Sequence, residues 1–191
     1  MALVIRGSSS GQVTVDVPAA AGTNTLTLPA GTGNIITSTT AGTIIQIVNN
    51  TVTALATGTT VFPRDDTIHQ SNEGIEFMTL AITPTHASNK LLITARVMLG
   101  FTVADSVKMI SLFQDSTANA LATTTNFHHN ATQMDTLHLS HYMAAGTTSA
   151  TTFKIRGGCD RAGTTSFNGQ SGARKYGGID LSSITITEIA V

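Results

Sequence analysis

Histidine is the residue type in this chain best suited to chemistry, and there are six of them among 191 residues. His128 and His129 are adjacent, so on a strand they point to opposite faces and cannot share a metal ion; only a loop would let them do so. His138 and His141 are three apart and again fall on opposite faces of a strand. His141 goes with Leu137, Leu139 and Met143, and His138 with Ser140 and Tyr142. The spacing therefore predicts structural or solvent-facing roles. The one metal arrangement that spacing cannot reveal is an axial site fed by one His from each chain of a trimer. Asp65 and Asp66 follow Pro63-Arg64 with no calcium-loop pattern, and read as a solvated turn. The single cysteine, Cys159, cannot form an intrachain disulfide or a Cys-rich zinc site. It lies in Gly157-Gly158-Cys159-Asp160-Arg161, which reads as a hairpin loop, and no neighbouring residue marks it as a nucleophile.

Other constellations are equally bare. Gly31-Thr32-Gly33 has neither a helix pattern nor a Lys-Ser/Thr after it, so the phosphate-cradling mechanism is absent. Arg174, Lys175 and Tyr176, with Arg156 and Arg161, could meet an anion but read as loop charges that keep a sheet edge soluble. No acidic pair is placed for glycoside hydrolysis, which needs two carboxylates at a set separation. The sequence names no catalytic, cofactor-binding or metal residues, and the expectation is a non-enzymatic protein without cofactors.

The elements that would carry these residues are strands. Charged residues make up 11% of the chain, less than half the usual share of about 25%, and hydrophobic residues 41% with aromatics only 5% and no Trp. Thr, Ser, Asn and Gly fill the polar positions. A net charge of -1 gives no basic field for nucleic acid. A neutral, hydroxyl-rich surface suits packing against other chains. The start, MALVIRGSSSG, lacks the charged and apolar regions of a signal peptide, and no apolar run is long enough to span a membrane, so synthesis in a reducing cytoplasm without membrane insertion is expected.

Helical periodicity is nearly absent. Residues 12–17 alternate with Val13, Val15 and Val17 on one face; 23–28 place Leu26 and Leu28 together; Ile35-Ile36-Thr37 begins a third short piece. So thin a set of strands is marginal alone. Residues 1–42 are therefore expected to form a strand arm that packs on copies of itself or on a neighbouring protein. Residues 43–191 form the main domain, with strands expected at 43–56, 59–62, 75–83, 90–101, 107–114, 120–126, 136–143, 150–156, 164–168 and 182–190. Gly58, Pro63, Gly74, Pro84, Gly146 and Gly169 punctuate them. Many short, evenly spaced strands predict an all-β sandwich or jelly roll. Ile184, Ile186 and Ile189 are expected on the buried side of the last strand.

Several segments also carry a family resemblance. IRGSSSGQVTVDVPAAAGTNTLTLPAGTGNIITSTTAGTIIQIV resembles an opening found in tail-fibre proteins of tailed, often marine or cyanobacterial, bacteriophages. IEFMTLAITPTHASNKLLITARVMLG resembles the stretch that joins two core strands of their heads. GTTSATTFKIRGG and GTTSFNGQSG are similar to strands that follow, and GGIDLSSITITEIAV to the usual ending. The resemblance touches most of the chain in order. It implies a homotrimeric, jelly-roll-like head of the tumour-necrosis-factor type on a virion surface, made in the host cytoplasm, with no catalytic residues. Phe101, Val103, Phe113 and Phe153 are candidates for the axis of such a trimer. The arm would bind tail or major capsid protein, and the head a host surface glycan or protein. The chain as given starts at its own Met1 with a single arm, whereas the family's heads end long fibre chains. Two roles follow: a short tail-fibre or receptor-binding projection, or a decoration (cement) protein at three-fold positions of the capsid.

Overall fold

The computed structural model describes Leu3–Arg6, Gln12–Val15 and residues 40–191. The chain divides into two compact units, 1–35 and 36–191. In the first, β1 (Leu3–Arg6) pairs antiparallel with β2 (Gln12–Val15), Leu3 opposite Val15. The strand at β1 was not anticipated from the sequence. The strands expected at 23–28 and from Ile35 lie outside the described residues.

The second unit is built from β3 (Ile44–Val52), β4 (Ala56–Gly58), β5 (Ile75–Ile82), β6 (Lys90–Phe101), β7 (Ser106–Gln114), β8 (Ala122–His128), β9 (Met134–Ala144), β10 (Thr151–Cys159), β11 (Thr165–Phe167), β12 (Gly169–Gln170), β13 (Ala173–Arg174) and β14 (Ser182–Ile189). One sheet runs β5-β10-β7-β8. The other runs β3-β14-β6-β11-β4, with β9 on the remaining edge of β6. Every pairing is antiparallel. The pairs β3/β14, β5/β10, β6/β9 and β7/β8 nest inside one another in sequence and alternate between the sheets. That winding is a jelly roll, so the all-β sandwich read from the sequence is the fold observed.

Burial follows from the pleat. Ile93, Ala95 and Val97 of β6, Leu137 and Leu139 of β9, and Ile184 and Ile186 of β14 face Ile110 and Leu112 of β7 and Phe153 and Ile155 of β10 in one continuous core. The outer face of the four-stranded sheet is covered at β7 alone; outward residues of β5 and β8, such as Thr79, Thr123 and Thr125, are exposed. The segment after β4 lays Phe62 over Val107, Met109 and Phe113, and Phe62 stacks on His69 at 4.3 Å. This explains why β7 is buried on both faces, Lys108 and Ser111 included.

Several expectations need correction. Residues 59–62 are not a strand; Phe62 is instead tied to β10 by its N–H donating to Cys159 O at 2.9 Å. Gly157-Gly158-Cys159 is strand, not hairpin loop, because β10 continues to pair with β7 as far as Cys159 opposite Lys108. Phe101, Phe113 and Phe153 are buried within this one chain and cannot line an axis between chains; only Val103 is partly open. On β14 the buried residue after Ile186 is Glu188, and unbroken alternation puts Ile189 on the other face with Thr185 and Thr187.

Candidate functional site

Within residues 40–191, the outer face of the six-stranded sheet is a broad open surface. Register places Ile47, Thr187, Leu92 and Tyr142 in one row across β3, β14, β6 and β9. Asn49, Thr185, Thr94 and Ser140 form the next row, and Thr51, Ser183, Arg96 and His138 the third. Ile47 and Tyr142, on the edge strands β3 and β9, are 58% and 57% exposed. The face is wide, apolar at one end, hydroxyl- and amide-bearing in the centre, and carries Arg96 as its one fixed charge in these rows. Side-chain bonds already order it: Asn49 Nδ2 donates to Thr185 Oγ1 at 2.8 Å, and Thr51 Oγ1 donates to Asn49 Oδ1 at 3.0 Å. The arrangement offers shape and hydrogen bonds to a protein partner rather than reactive groups to a substrate.

The six histidines do not converge. His138 is exposed on this face, His141 faces the other way beside Met143, His86 bonds Ser88 Oγ at 2.9 Å in the loop before β6, and His129 is exposed against Phe127. His69 is buried; its Nε2 donates to Pro63 O at 3.2 Å, so Nδ1 accepts from Ser111 Oγ at 2.8 Å. Ser111 is itself fully buried, so this pair joins the covering segment to β7 and cannot reach a substrate. Among the described residues, no group of three or more His, Cys, Asp or Glu is placed to hold a metal ion. Asp65 accepts from Thr67 N and Oγ1 at 2.9 and 2.5 Å, the exposed turn expected of it.

Two polar clusters escaped sequence reasoning. Glu188 is fully buried. It accepts from Gln46 Nε2 at 2.6 Å, Asn89 Nδ2 at 2.7 Å, and Thr85 N and Oγ1 at 2.8 and 2.9 Å. Burial works against its charge, but these donors outweigh it and hold the carboxyl below its usual range. The loop between β5 and β6 is thereby fixed to β14.

The second cluster closes one end of the sandwich. Lys108 sits on the inward face of β7, in line with Ile110 and Leu112, and is fully buried. Its Nζ forms an ion pair with Asp135 of β9 and donates to Leu99 O at 3.2 Å. Asp135 Oδ1 accepts from Gln133 Nε2 at 2.9 Å. His128 is fully buried beside them, with Nε2 3.0 Å from Phe101 O and Nδ1 3.9 Å from Asp135 Oδ2. Burial pushes the Lys108 amine down, and burial together with the Lys108 charge does the same to His128. Desolvation opposes the charge of Asp135, but bonds from Lys108 and Gln133 keep it below its usual value. Cys159, opposite Lys108, is buried, and that burial pushes its thiol up to about 12.

No family model matches the sequence, and no curated protein matches it. Among solved structures, the EclA C-terminal domain, a sugar-binding protein, is 15% identical over 84% of this chain and 89% of its own, with a TM-score of 0.33. The infectious bursal disease virus Gx strain structure is 14% identical over 95% of this chain and 43% of its own, with a TM-score of 0.38. A Bacillus endospore appendage protein, from disulfide-linked pili, is 13% identical over 84% of this chain and all of its own, with a TM-score of 0.28. None of these likenesses is close enough to identify a relative. Among the described residues, no helix is long and apolar enough to cross a membrane.

Proposed function

We propose that the chain is a non-enzymatic structural protein of a tailed-phage virion, forming a homotrimeric surface projection of the short tail-fibre or receptor-binding type. The observation that supports this most is the open face of the six-stranded sheet: its centre is uncharged, its edge row exposes Ile47 and Tyr142, and its hydroxyls are held in register. Such a face favours burial against protein. In this reading the face meets its equivalents around the three-fold axis, residues 1–42 bind tail or major capsid protein, and the distal loops contact a host glycan or protein.

Two measurements test it. Light scattering of the purified chain should give three times the sequence mass; a monomer at micromolar concentration rejects the trimer. Antibody-gold labelling of virions should then place a few trimers at the tail. Hundreds of copies over the head would replace the fibre role with that of a capsid decoration protein, and absence from virions would reject both.

A further inference from the structure

A lysine in the middle of an inward strand face is costly unless its environment is arranged for it. Here Lys108 lies between Cys159 on the neighbouring strand and Asp135 from the opposite sheet, with His128 beside the carboxylate. His128 fixes its own tautomer. Nε2 faces the Phe101 carbonyl at 3.0 Å, which only accepts, so Nε2 carries the hydrogen. In the neutral ring Nδ1 then presents a lone pair toward Asp135 Oδ2 and has no hydrogen-bond partner of its own. A buried base without a partner thus stands beside a lysine–carboxylate contact. Gln133 Nε2 meanwhile holds the other carboxylate oxygen, Oδ1, at 2.9 Å.

We infer that Lys108 and Asp135 condense to an intramolecular isopeptide bond that ties β7 of one sheet to β9 of the other. One proton passes within the pair from Nζ to Oδ2, giving an amine and a carboxylic acid, the form in which Nζ has the lone pair that attack requires. The Nζ lone pair attacks Cγ, forming the C–N bond, while Gln133 Nε2–H stabilises the charge that develops on Oδ1. His128 Nδ1 accepts a proton from the attacking nitrogen and returns it to Oδ2; the Cγ–Oδ2 bond breaks and that oxygen leaves as water. The ammonium and carboxylate together become one amide and one water, with no oxidant or other reagent. Condensation that is unfavourable between free molecules becomes accessible because the fold holds the groups at effective concentrations of about 10⁵–10⁸ M. The chain has one cysteine and so cannot make a disulfide within itself; this link would serve the same purpose by other chemistry.

Intact-mass spectrometry of the purified, denatured full chain tests the inference. The expected mass is lower than that of the sequence by one water, and protease digestion should yield one branched peptide joining Lys108 to Asp135. Lys108→Arg, which keeps the cation but removes the nucleophile, and Asp135→Ala should both restore the full sequence mass. His128→Asn, refolded from denaturant, should form the link about a hundredfold more slowly than wild type refolded in the same way. The wild-type measurement needs no variant to fold. A folded wild-type chain that keeps its full mass after prolonged incubation from mildly acidic to mildly alkaline pH would overturn the inference. So would a loss of water that digestion maps to any other residue, as in cyclisation of an aspartate onto its own backbone.

Discussion

Asn89 Nδ2 donates to Glu188 Oε1 at 2.7 Å, joining residues 99 positions apart and fastening the loop before β6 to the last strand. Thr85 and Gln46 complete the cluster. Glu188→Gln leaves a neutral acceptor and turns an amide toward groups that already donate. The expected cost is about 3 kcal/mol, read as a lower urea midpoint with an unchanged slope. The pH dependence has a definite sign. The folded carboxyl titrates below its unfolded value, so its contribution is complete above about pH 4.3 and is lost as pH falls through the lower folded value. The gap between wild type and Glu188→Gln should therefore close on acidification below that range. A gap that stays constant would show that shape, not charge, is what matters at this position.

Most of the strands were legible because their signal is local. Alternation and turn residues marked β5, β6, β9 and β10 to within a few residues, and they placed His138 and His141 on the correct opposite faces. What escaped depends on partners remote in sequence. Glu188 interrupts an apolar series, so Ile189 was assigned to the core, but strict alternation puts 188 inside and 189 outside, and five hydrogen-bond donors from Gln46, Thr85, His86 and Asn89 satisfy the buried carboxylate. The burial of Lys108 has no local signal, since it follows from the cover on both faces of β7, one by β9 and the other by Phe62. The buried phenylalanines were offered to an intersubunit axis because sequence carries no record of which sheet face its own chain covers.

A second keystone sits where β6 changes neighbours. β14 pairs with β6 as far as Arg96, and β11 takes over at Leu99. Ser182 Oγ accepts from Met98 N at 2.9 Å and donates to Asn168 Oδ1 at 2.6 Å, while Asn168 Nδ2 donates to Val52 O at 2.8 Å. Asn168 also adopts φ 55°, a conformation that Asn tolerates better than most residues. Asn168→Ala should lose both the bonds and the conformational tolerance, at about 3 kcal/mol. Asn168→Gly should recover the backbone part only and fall between Ala and wild type. Equal midpoints for the two variants would show that the backbone contributes nothing there.

Cys159 offers a probe of opening. Burial raises its thiol to about 12, so at pH 8 almost no thiolate exists in the folded chain, and the sulfur is covered as well. Alkylating reagents should leave it unmodified in native conditions and label it stoichiometrically in denaturant. Under native conditions the labelling rate should follow the unfolding equilibrium and increase in Glu188→Gln by the same free energy that its urea midpoint loses. Fast labelling of the native chain would mean that β10 opens locally without global unfolding.

The open sheet face gives the prediction most directly tied to function. Thr94 lies at its centre, flanked by Thr185 and Ser140, and is exposed in the isolated chain. Thr94→Lys would place a charge at the middle of the proposed contact with little effect on the fold, since an exposed substitution of this kind changes stability by about 0.5 kcal/mol or less. Three copies would meet around an axis, so three like charges would be desolvated together, and even one unpaired charge of this kind weakens an interface by several kcal/mol. The expected result is a folded monomer in light scattering, with a circular dichroism spectrum like that of wild type. Thr57→Lys, on exposed β4 away from these rows, should leave the trimer intact. If Thr94→Lys remains trimeric, another surface carries the assembly; if both variants dissociate, charge in general rather than this face decides it.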